Sequence, residues 1–478
     1  MKRVLAIVLV LLMIVALAGC QNKKRQAIQL TLSTEDSEAI LKAAGITLPP
    51  AEEAAGANSV VLWFCWGDPF QNYREDEMVN TGYWTFQHKY GGSIEYVETD
   101  YFQRNDDLAR LLTAGTPPDL CLGGNGATAM YPMNAIQGMI QPVDPWIDYD
   151  DPLWAPMKEL ADFFTLGGKH YQICMLTKPA NVVLYNRRVF DEFGYDDPAE
   201  LYANDEWTWD EFYNMCVDFS DGDENRYALD GYPYVTALVE STGQQFMQID
   251  DNFKFYSNVD SPEIERAENL LYELCKNDCN YHEGGNYWAL RSTSGIKDGL
   301  CLFYIAGESF FRDTVETIEG DLGDITNGEL MFVPLPRDPN GDGKYYLATS
   351  FDNLNGALCI VNNANNPEGA ALLASCMRFK FIDPIVLAVD KKQLKEVYHW
   401  TDEMIDMSDV CKEISERDRV FDLGGNLPSN LGNALNGISW GIARSANPST
   451  WGQLKEQYAD QIEYYIEELN ALIADYNA

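Results

Sequence analysis

Strand-like and helix-like segments alternate along this chain, and the alternation limits the fold more than any single motif does. Residues 60–65 (VVLWFC) form an uninterrupted apolar run, which is the pattern of a strand buried on both faces of a sheet. Further strands are predicted at 93–97 and 119–122, on either side of a helix that begins at Asn105 or Asp106 and ends at Gly115. The chain is therefore expected to be an α/β protein.

The later helices of the chain have clear start signals. Thr208 and Glu211 form a capping box. Ser261 and Asn366 are each followed by a proline at the first helical position, and Thr450 opens the last predicted helix. With 478 residues, a single core is not expected, and two or three lobes are predicted.

The net charge excludes one class of partner. The chain has 34 Lys and Arg and 74 Asp and Glu, which gives a formal charge of −40. Such a surface repels nucleic-acid phosphates and anionic headgroups. We therefore expect no nucleic-acid binding, and membrane attachment only through a lipid anchor.

The N-terminus predicts that anchor. Lys2 and Arg3 precede an apolar run at residues 4–18, which is shorter than a membrane-spanning helix. Residues 17–20 (LAGC) resemble the signal box of bacterial lipoproteins. Residues 1–19 are thus predicted to be a lipoprotein signal peptide, with the lipid carried by Cys20. An ordinary secretory signal followed by an incidental cysteine is the alternative.

Residues 20–58 read as a tether, with a basic cluster at 23–25 and a short helix possible near 39–44. Ten further cysteines follow Cys20, mostly in apolar runs where cysteine behaves as a small core residue. Cys275 and Cys279 are poorly placed for a bridge. The sequence leaves open whether all thiols are reduced or one disulfide forms.

Five motifs occur in an order that resembles the bacterial extracellular solute-binding proteins of family 1, which serve sugar importers of the ABC type. They are NDDLARLLTAGTPPDLCLGG, VVLYNRRVFDEFGYDDPAELYANDEWTWDEFYNMC, IKDGLCLFYIAGESFF, MFVPLPRDPNGDG and GALCIVNNANNPEGAALLASCMRF. Together they extend over most of the chain that follows the tether.

The resemblance implies a two-lobed periplasmic-binding-protein-like fold of type II, with hinge crossings between the lobes and a ligand cleft between them. It assigns residues 59–176 and 292–346 to lobe one and residues 177–291 and 347–478 to lobe two. Closure of such lobes on a solute is driven by contacts made to both of them. Tyr185 is expected to support the hinge.

Sugar sites combine planar aromatic side chains with hydrogen-bonding ones. The ligand-binding candidates are residues of these types near predicted strand ends, crossings or loops: Trp66, Asp68, Asn125, Tyr232, Tyr234, Glu308, Phe310, Asn353 and Trp440. Packing remains the alternative for the aromatic residues, and a plain turn for Asn125. Ser309 stands where many relatives offer a stacking Trp, which weakens the prediction of an oligosaccharide platform.

No cofactor and no metal site are predicted. Residues 338–343 (DPNGDG) imitate the first half of a calcium loop, but Thr349 stands where a bidentate Glu is needed. A polar turn is the favoured interpretation, and calcium binding is left open.

The resemblance implies a monomeric protein on the outer face of the cytoplasmic membrane that captures a solute for ABC permease subunits, with a sugar as the expected class of solute. An exported glycoside hydrolase with two carboxylates and a surface glycan-binding protein that does not serve transport are the alternatives. The chain lacks the serine-hydrolase, phosphate-loop and zinc-protease motifs. The sequence does not identify the ligand.

Overall fold

The computed structural model describes residues 34–51, 59–64, 81–100, 103–123, 131–220, 225–231, 234–250, 253–283, 285–286, 294–313, 315–350, 357–421, 427 and 429–477. Within these ranges the strands are β1 Ser59–Phe64, β2 Ser93–Glu98, β3 Leu120–Leu122, β4 Thr165–Leu166, β5 Lys169–His170, β6 Ile173–Cys174, β7 Lys178–Pro179, β8 Val182–Asn186, β9 Tyr227–Asp230, β10 Met247–Ile249, β11 Phe255–Ser257, β12 Cys301–Ala306, β13 Leu330–Val333, β14 Thr349–Ser350 and β15 Ala357–Ile360.

The α-helices in the same ranges are α1 Thr34–Ala43, α2 Thr81–Tyr90, α3 Arg104–Ala114, α4 Met133–Ile136, α5 Lys158–Asp162, α6 Arg187–Phe193, α7 Pro198–Ala203, α8 Trp209–Ser220, α9 Tyr234–Glu240, α10 Pro262–Lys276, α11 Ser294–Lys297, α12 Val315–Asp321, α13 Pro367–Lys380, α14 Pro384–Glu396, α15 Asp402–Arg417, α16 Ser429–Ala443 and α17 Trp451–Asn477. Short 3-10 turns lie at Ala155–Met157 and Glu308–Phe311.

Two mixed sheets form the centres of two lobes. The first has the order β2-β1-β3-β15-β6, and the second has the order β13-β8-β12-β9. In the first sheet β1 runs parallel to β2 and β3, whereas β15 runs antiparallel to β3. In the second sheet β12 runs parallel to β9 and antiparallel to β8. The predicted α/β class is confirmed.

The sheets divide the chain differently from the predicted lobe boundaries. Strands β12 and β13 lie within 292–346, which was expected in lobe one, but both belong to the sheet of β8. Strand β15 lies in the region expected in lobe two, but it pairs with β3 and β6 in the first sheet. The predicted assignment of these strands is wrong. Their pairing partners lie more than seventy residues away, so local patterns do not reveal them.

The chain passes between the sheets through two short paired strands. β7 follows β6 of the first sheet, β14 precedes β15, and the two pair antiparallel, with Pro179 opposite Thr349. Thr349 is fully buried; its amide donates to the carbonyl of Val420, and its hydroxyl donates to the carbonyl of Ser415, each at 2.8 Å. The loop that ends α15 therefore braces the crossing.

The predicted helix starts at Ser261, Asn366 and Thr450 are confirmed, whereas α3 begins at Arg104, before the predicted Asn105 or Asp106. The side chains of Ser261 and Asn366 accept from amides of the first turns of α10 and α13. Gly115 ends α3 with a φ of 72°, a conformation that a residue without a Cβ adopts at little cost. Thr450 and Gln453 form a reciprocal capping box at the start of α17.

The predicted tether is partly folded. Residues 34–43 form α1, in which Leu41 is buried, and Ile46 and Leu48 pack against the core. The hydroxyl of Tyr90 donates to the carbonyl of Pro49 at 2.6 Å. The segment from α1 to Pro49 is therefore docked on the body. The signal peptide and Cys20 lie outside the described residues.

The cysteines of the described residues are free and buried: Cys121, Cys174, Cys216, Cys275, Cys279, Cys301, Cys359, Cys376 and Cys411. They serve as small core side chains, as the apolar runs around them indicate. Among the described helices, none combines the length and the apolar composition that crossing a membrane requires.

Asp119 joins three elements of the first lobe. Its buried carboxylate accepts from the amide of Val61 in β1 at 2.8 Å and from the amide of Asn366, the cap of α13, at 2.7 Å.

We predict that Asp119→Ala lowers the free energy of unfolding by roughly 1–3 kcal/mol, because two partly buried amides lose their acceptor. Denaturant unfolding measures the change. Asp191→Ala, at an exposed position of α6, is the matched control and should change stability little. Equal stability of the two variants would contradict the bridging role of Asp119.

Glu268 is a fully buried carboxyl on α10, and the hydroxyl of Ser439 on α16 donates to it. Burial raises the pKa of Glu268 to about 8, and the Ser439 hydrogen bond partly offsets the rise. The folded chain thus retains a proton that the unfolded chain releases near pH 4.3. Between these values the folded state binds more protons, so its contribution to stability falls as pH rises.

We predict that Glu268→Gln removes part of the loss of unfolding free energy between pH 5 and pH 8, by up to about 1.4 kcal/mol per pH unit in the steepest region. The measurement is denaturant unfolding across that range. Glu265→Gln, exposed on the same helix, is the control. If both variants keep the slope of the parent chain, the carboxyl of Glu268 is not protonated in the folded state.

Candidate functional site

At one edge of the first sheet, the strands are connected in sequence to several of the predicted ligand residues. The carboxyl ends of β1 and β3 and the amino end of β15 share this edge, where the amide of Gly123 donates to the carbonyl of Ala357 at 3.1 Å. The chain continues from this edge into segments that contain Trp66, Asp68, Asn125 and Asn353. These four residues lie outside the described residues, so their ligand role stays a prediction.

The second sheet presents a corresponding edge. Because β9 and β12 are parallel and β8 is antiparallel to β12, the carboxyl ends of β9 and β12 meet the amino end of β8 there. Tyr234 follows β9, and Glu308 and Phe310 follow β12. The structure therefore brings three predicted residues to strand ends at one edge. Tyr232 lies outside the described residues.

Both edges adjoin the crossing strands. β7 begins four residues after β6 ends, and β8 begins three residues after β7 ends. On the return path, the amide of Ala180 donates to the carbonyl of Ala348 at 2.8 Å, directly before β14. The strand ends of the second sheet and the crossing are thus part of one region, which we call the crossing-side edge.

Glu308 is committed to internal contacts. One carboxylate oxygen accepts from Arg312 at 3.1 Å, and the other accepts from the hydroxyl of Ser408 at 2.6 Å. Ser408 belongs to α15, so Glu308 fastens the turn after β12 to that helix. A ligand contact from Glu308 would have to replace one of these bonds.

Phe310, two residues further along, has a different environment. Its side chain is 45% exposed, and its ring centroid lies 5.6 Å from that of the buried Tyr304. Exposing a Phe to this extent is unfavourable unless a partner covers the ring. Of the two predicted residues in this turn, Phe310 is the one with a surface available for stacking.

Tyr234 and Trp440 both lie beside one guanidinium group. The Cζ atom of Arg444 is 5.6 Å from the ring centroid of Tyr234 and 4.9 Å from that of Trp440. Tyr234 is 1% exposed, and burial raises the pKa of its hydroxyl. Trp440 is half-buried. Tyr234 therefore supports Arg444 from inside, whereas Trp440 has the more accessible ring.

Arg444 is not among the ligand residues predicted from the sequence. The spacing of Trp440 and Arg444 could have indicated it, because residues four apart share a face of α16. A planar cation over two rings is held in place by cation–π attraction. Guanidinium N–H groups are donors for hydroxyl or carboxylate oxygens, so this cluster combines a stacking surface with hydrogen-bond donors.

A small cavity with a mainly apolar lining lies one helical turn from Trp440. Asn436 of α16 lines it, together with Glu240 of α9 and Gln245. The cavity volume of about 20 Å³ holds one water-sized group. The buried carboxylate of Glu240 accepts from Asn181, in the chain between β7 and β8, at 3.2 Å. This contact links α9 to the crossing.

Tyr185, which was assigned to the hinge, lies inside the second sheet. It is fully buried in β8 opposite Met331, and its hydroxyl donates to the carboxylate of Asp197. The crossing itself is formed by β7 and β14, so Tyr185 contributes to the second lobe rather than to the paired crossing strands.

The calcium-like segment is occupied by internal partners. Asp338 accepts from Arg266, with Nε at 2.8 Å, and Asp342 accepts from the hydroxyl of Tyr346 at 2.7 Å. Asp338 also accepts from the amide of Asn340 at 2.8 Å, as in a polar turn. In the part of the chain that the structure describes, no group of three or more His, Cys, Asp or Glu residues is arranged to hold a metal ion.

Solved structures share this architecture. A solute-binding protein from Thermotoga lettingae bound with α-D-tagatose matches at 20% identity, with 86% of this chain and 100% of that chain covered and a TM-score of 0.56. The galacto-N-biose/lacto-N-biose I-binding protein from Bifidobacterium longum matches at 13% identity, 86% and 98% coverage and a TM-score of 0.60. The sugar-binding protein MalE from Xanthomonas citri matches at 14% identity, with 87% of this chain and 98% of that chain covered and a TM-score of 0.58.

These likenesses confirm the predicted fold class, the two-lobed fold of type II periplasmic binding proteins. Residues 73–273 match the model of the bacterial extracellular solute-binding proteins, which confirms for this segment the family predicted from the motifs. No match was found among curated proteins.

We predict that Glu308→Ala lowers the stability of the chain more than Phe310→Ala does. Glu308→Ala removes two internal bonds and should lower the free energy of unfolding by about 1–3 kcal/mol, whereas Phe310→Ala should change it by less than about 1 kcal/mol. Thermal and denaturant unfolding of the ligand-free chain measure both. A Phe310→Ala variant as unstable as Glu308→Ala would show that Phe310 is a packing residue.

Proposed function

We propose that this chain is an extracellular, lipid-anchored solute-binding protein that captures a carbohydrate or related small solute and delivers it to the permease of an ABC importer. The observation that carries the proposal is the exposed ring of Phe310 at the crossing-side edge. The Trp440–Arg444 pair, which adjoins Tyr234, adds a second ring surface and hydrogen-bond donors. This combination matches the apolar faces and hydroxyls of sugars.

The fold supports a capture mechanism. A solute that contacts both lobes stabilises the closed arrangement by its differential affinity, and the short paired crossing allows the lobes to rotate. The predicted contributions of the first lobe are Trp66, Asp68, Asn125 and Asn353, and those of the second are Tyr232, Tyr234, Phe310 and Trp440. Glu308 and Tyr185 have supporting roles in this scheme.

The proposed cellular setting follows from the N-terminus. A lipid on Cys20 retains the monomeric chain at the outer face of the cytoplasmic membrane, where permease subunits receive the solute. The matched solved structures include proteins described with tagatose and with lacto-N-biose, which favours a sugar as the solute class.

A glycoside hydrolase is the second candidate, and the contacts of the site argue against it. At the crossing-side edge, Glu308 and Glu240 accept hydrogen bonds from neighbouring side chains, and Asp230 at the end of β9 accepts from the amide of Gly231. A hydrolase needs one carboxyl as acid and the other as base or nucleophile. A glycan-binding protein that does not serve transport shares the site and differs in its partner.

We predict that the mature chain melts at a higher temperature with one class of carbohydrate in a panel of monosaccharides, oligosaccharides, sugar acids and polyols, because a ligand that binds only the folded state stabilises it. Release of reducing sugar from the same panel would identify the hydrolase. A panel that leaves the melting temperature unchanged throughout would contradict the carbohydrate assignment.

For the sugar so identified, Phe310→Ala and Trp440→Ala should each weaken binding about tenfold or more, since one lost stacking contact of about 1.4 kcal/mol has that effect. Calorimetric titration measures the change. Tyr464→Ala is the matched control, because Tyr464 is 56% exposed on α17 and has no place in the proposed site. Loss of affinity in the control alone would place the ligand elsewhere.

A further inference from the structure

The cavity between α9 and α16 is lined by both buried and half-buried side chains. Glu240 and Gln245, which are 5% and 8% exposed, line it together with the buried ring of Phe246. Thr236 and Asn436 line the same cavity, and both are half-buried. A small group that enters beside Thr236 and Asn436 therefore reaches two enclosed polar side chains in an otherwise mainly apolar space.

The side-chain amide of Gln245 supplies a hydrogen-bond donor to this cavity. Its Nε2 atom is enclosed, and among the residues that the structure describes it has no acceptor. A buried donor that lacks an acceptor loses the hydration of its N–H group without compensation, so native proteins satisfy nearly all such donors through protein groups, ordered water or a ligand. Gln245 therefore requires an oxygen acceptor inside the cavity.

The carboxylate of Glu240 sets the complementary requirement. It accepts from Nδ2 of Asn181 at 3.2 Å and from the hydroxyl of Thr236 at 3.5 Å, and its two oxygens have capacity for further donors. A hydroxyl group both accepts and donates. An ammonium group cannot accept from Gln245, and a second carboxylate cannot donate to Glu240. Together the two side chains select a hydroxyl group.

The volume of the cavity limits how that hydroxyl group is carried. About 20 Å³ holds one water-sized group. A hydroxyl on a sugar ring is flanked by ring carbons, which do not fit in this space. A terminal hydroxymethyl group presents its oxygen on a freely rotating bond and can insert it alone. The carboxylate of a sugar acid has two oxygens and is too large.

The cavity adjoins the stacking surface of the second lobe. Asn436 and Trp440 are four residues apart on one face of α16, and one helical turn rises about 5.4 Å. A pyranose with its substituent oxygens has about this length, so a ring stacked on Trp440 can extend to Asn436. Asn181, which donates to Glu240, lies between the crossing strand β7 and β8. The cavity is thus connected to both the candidate stacking ring and the crossing.

We propose that Glu240 and Gln245 form a hydroxymethyl-binding pocket of the solute site and make the protein selective for hexoses with a free 6-hydroxyl group. The proposal rests on the proposed function and deepens it by naming the class of solute. The 6-hydroxyl accepts from Nε2 of Gln245 and donates to the carboxylate of Glu240, in place of a water molecule. A 6-deoxy sugar leaves the amide without an acceptor, and a sugar acid brings a second negative charge to Glu240.

The test compares matched sugars on the mature chain by calorimetric titration. The probes are D-glucose, D-galactose and D-mannose, each with its 6-deoxy, 6-amino-6-deoxy and uronate counterparts. The preferred hexose should bind at least about tenfold more tightly than each of its counterparts, because a site built to bond a hydroxyl rejects an analogue that lacks it. A counterpart that binds as tightly as the hexose, or more tightly, overturns the pocket and leaves sugar capture intact. If no probe binds, the selectivity for hexoses is overturned, and the wider carbohydrate panel decides separately on the proposed function.

Two variants show whether the discrimination arises in this cavity. Gln245→Met removes the donor at similar side-chain volume, and Glu240→Gln removes the charge. Each should weaken binding of the preferred hexose about tenfold, whereas Gln245→Met should leave the affinity for the 6-deoxy counterpart unchanged. Gln457→Met, at an exposed position of α17, is the matched control and should bind as the parent chain does. Unchanged discrimination in both pocket variants overturns the proposal.

A crystal structure of the parent chain with the preferred hexose provides a measurement that needs no variant to fold. The 6-hydroxyl oxygen should lie in the cavity, within hydrogen-bond distance of Nε2 of Gln245 and of the carboxylate of Glu240. A water molecule that remains in the cavity while the sugar binds elsewhere overturns the proposal, because the cavity then serves only to hold structural water.

Discussion

The antiparallel pairing of β7 with β14 is the constraint on which the two-lobed arrangement depends. The chain leaves the first sheet after β6 and returns to it at β15. Its two passages meet where β7 pairs with β14, each a strand of two residues. Thr349 is fixed on its other side by the carbonyls of Val420 and Ser415. Because the pairing is so short, it joins the lobes while leaving rotation about it accessible. Of the candidate ligand residues, Asn353 follows β14 by three residues.

Burial and pairing decide which polar residues near this crossing are available to a solute. Glu308 and Phe310 belong to the same turn, yet the carboxylate is tied to Arg312 and Ser408, whereas the ring is open to solvent. A buried carboxylate without partners would be costly, so the structure satisfies it internally. The exposed ring carries the opposite cost, which a sugar face would relieve. Phe310 is therefore a stronger candidate for ligand contact than Glu308.

The sequence predicted what is local and failed where distant strands pair. Caps at Ser261, Asn366 and Thr450 and the apolar strand β1 depend on neighbouring residues, and they are where they were expected. The apolar run of β12 fits either sheet, and only its pairing with β8 decides between them. Among the site residues, Phe310 follows a strand, as expected, and its side chain is exposed there. Arg444 was missed because a lone arginine acquires meaning only when Tyr234 and Trp440 meet around it.

The buried thiols connect stability with the proposed location. An exported chain meets an oxidising environment, where exposed thiols form disulfides. Burial raises the pKa of Cys174, Cys275 and Cys376, and the thiolate is the form that reacts. The folded state therefore protects these residues both by enclosure and by suppressing the reactive species. Unfolding removes both protections at once, so contacts such as those of Asp119 preserve the chemical integrity of the chain as well as its fold.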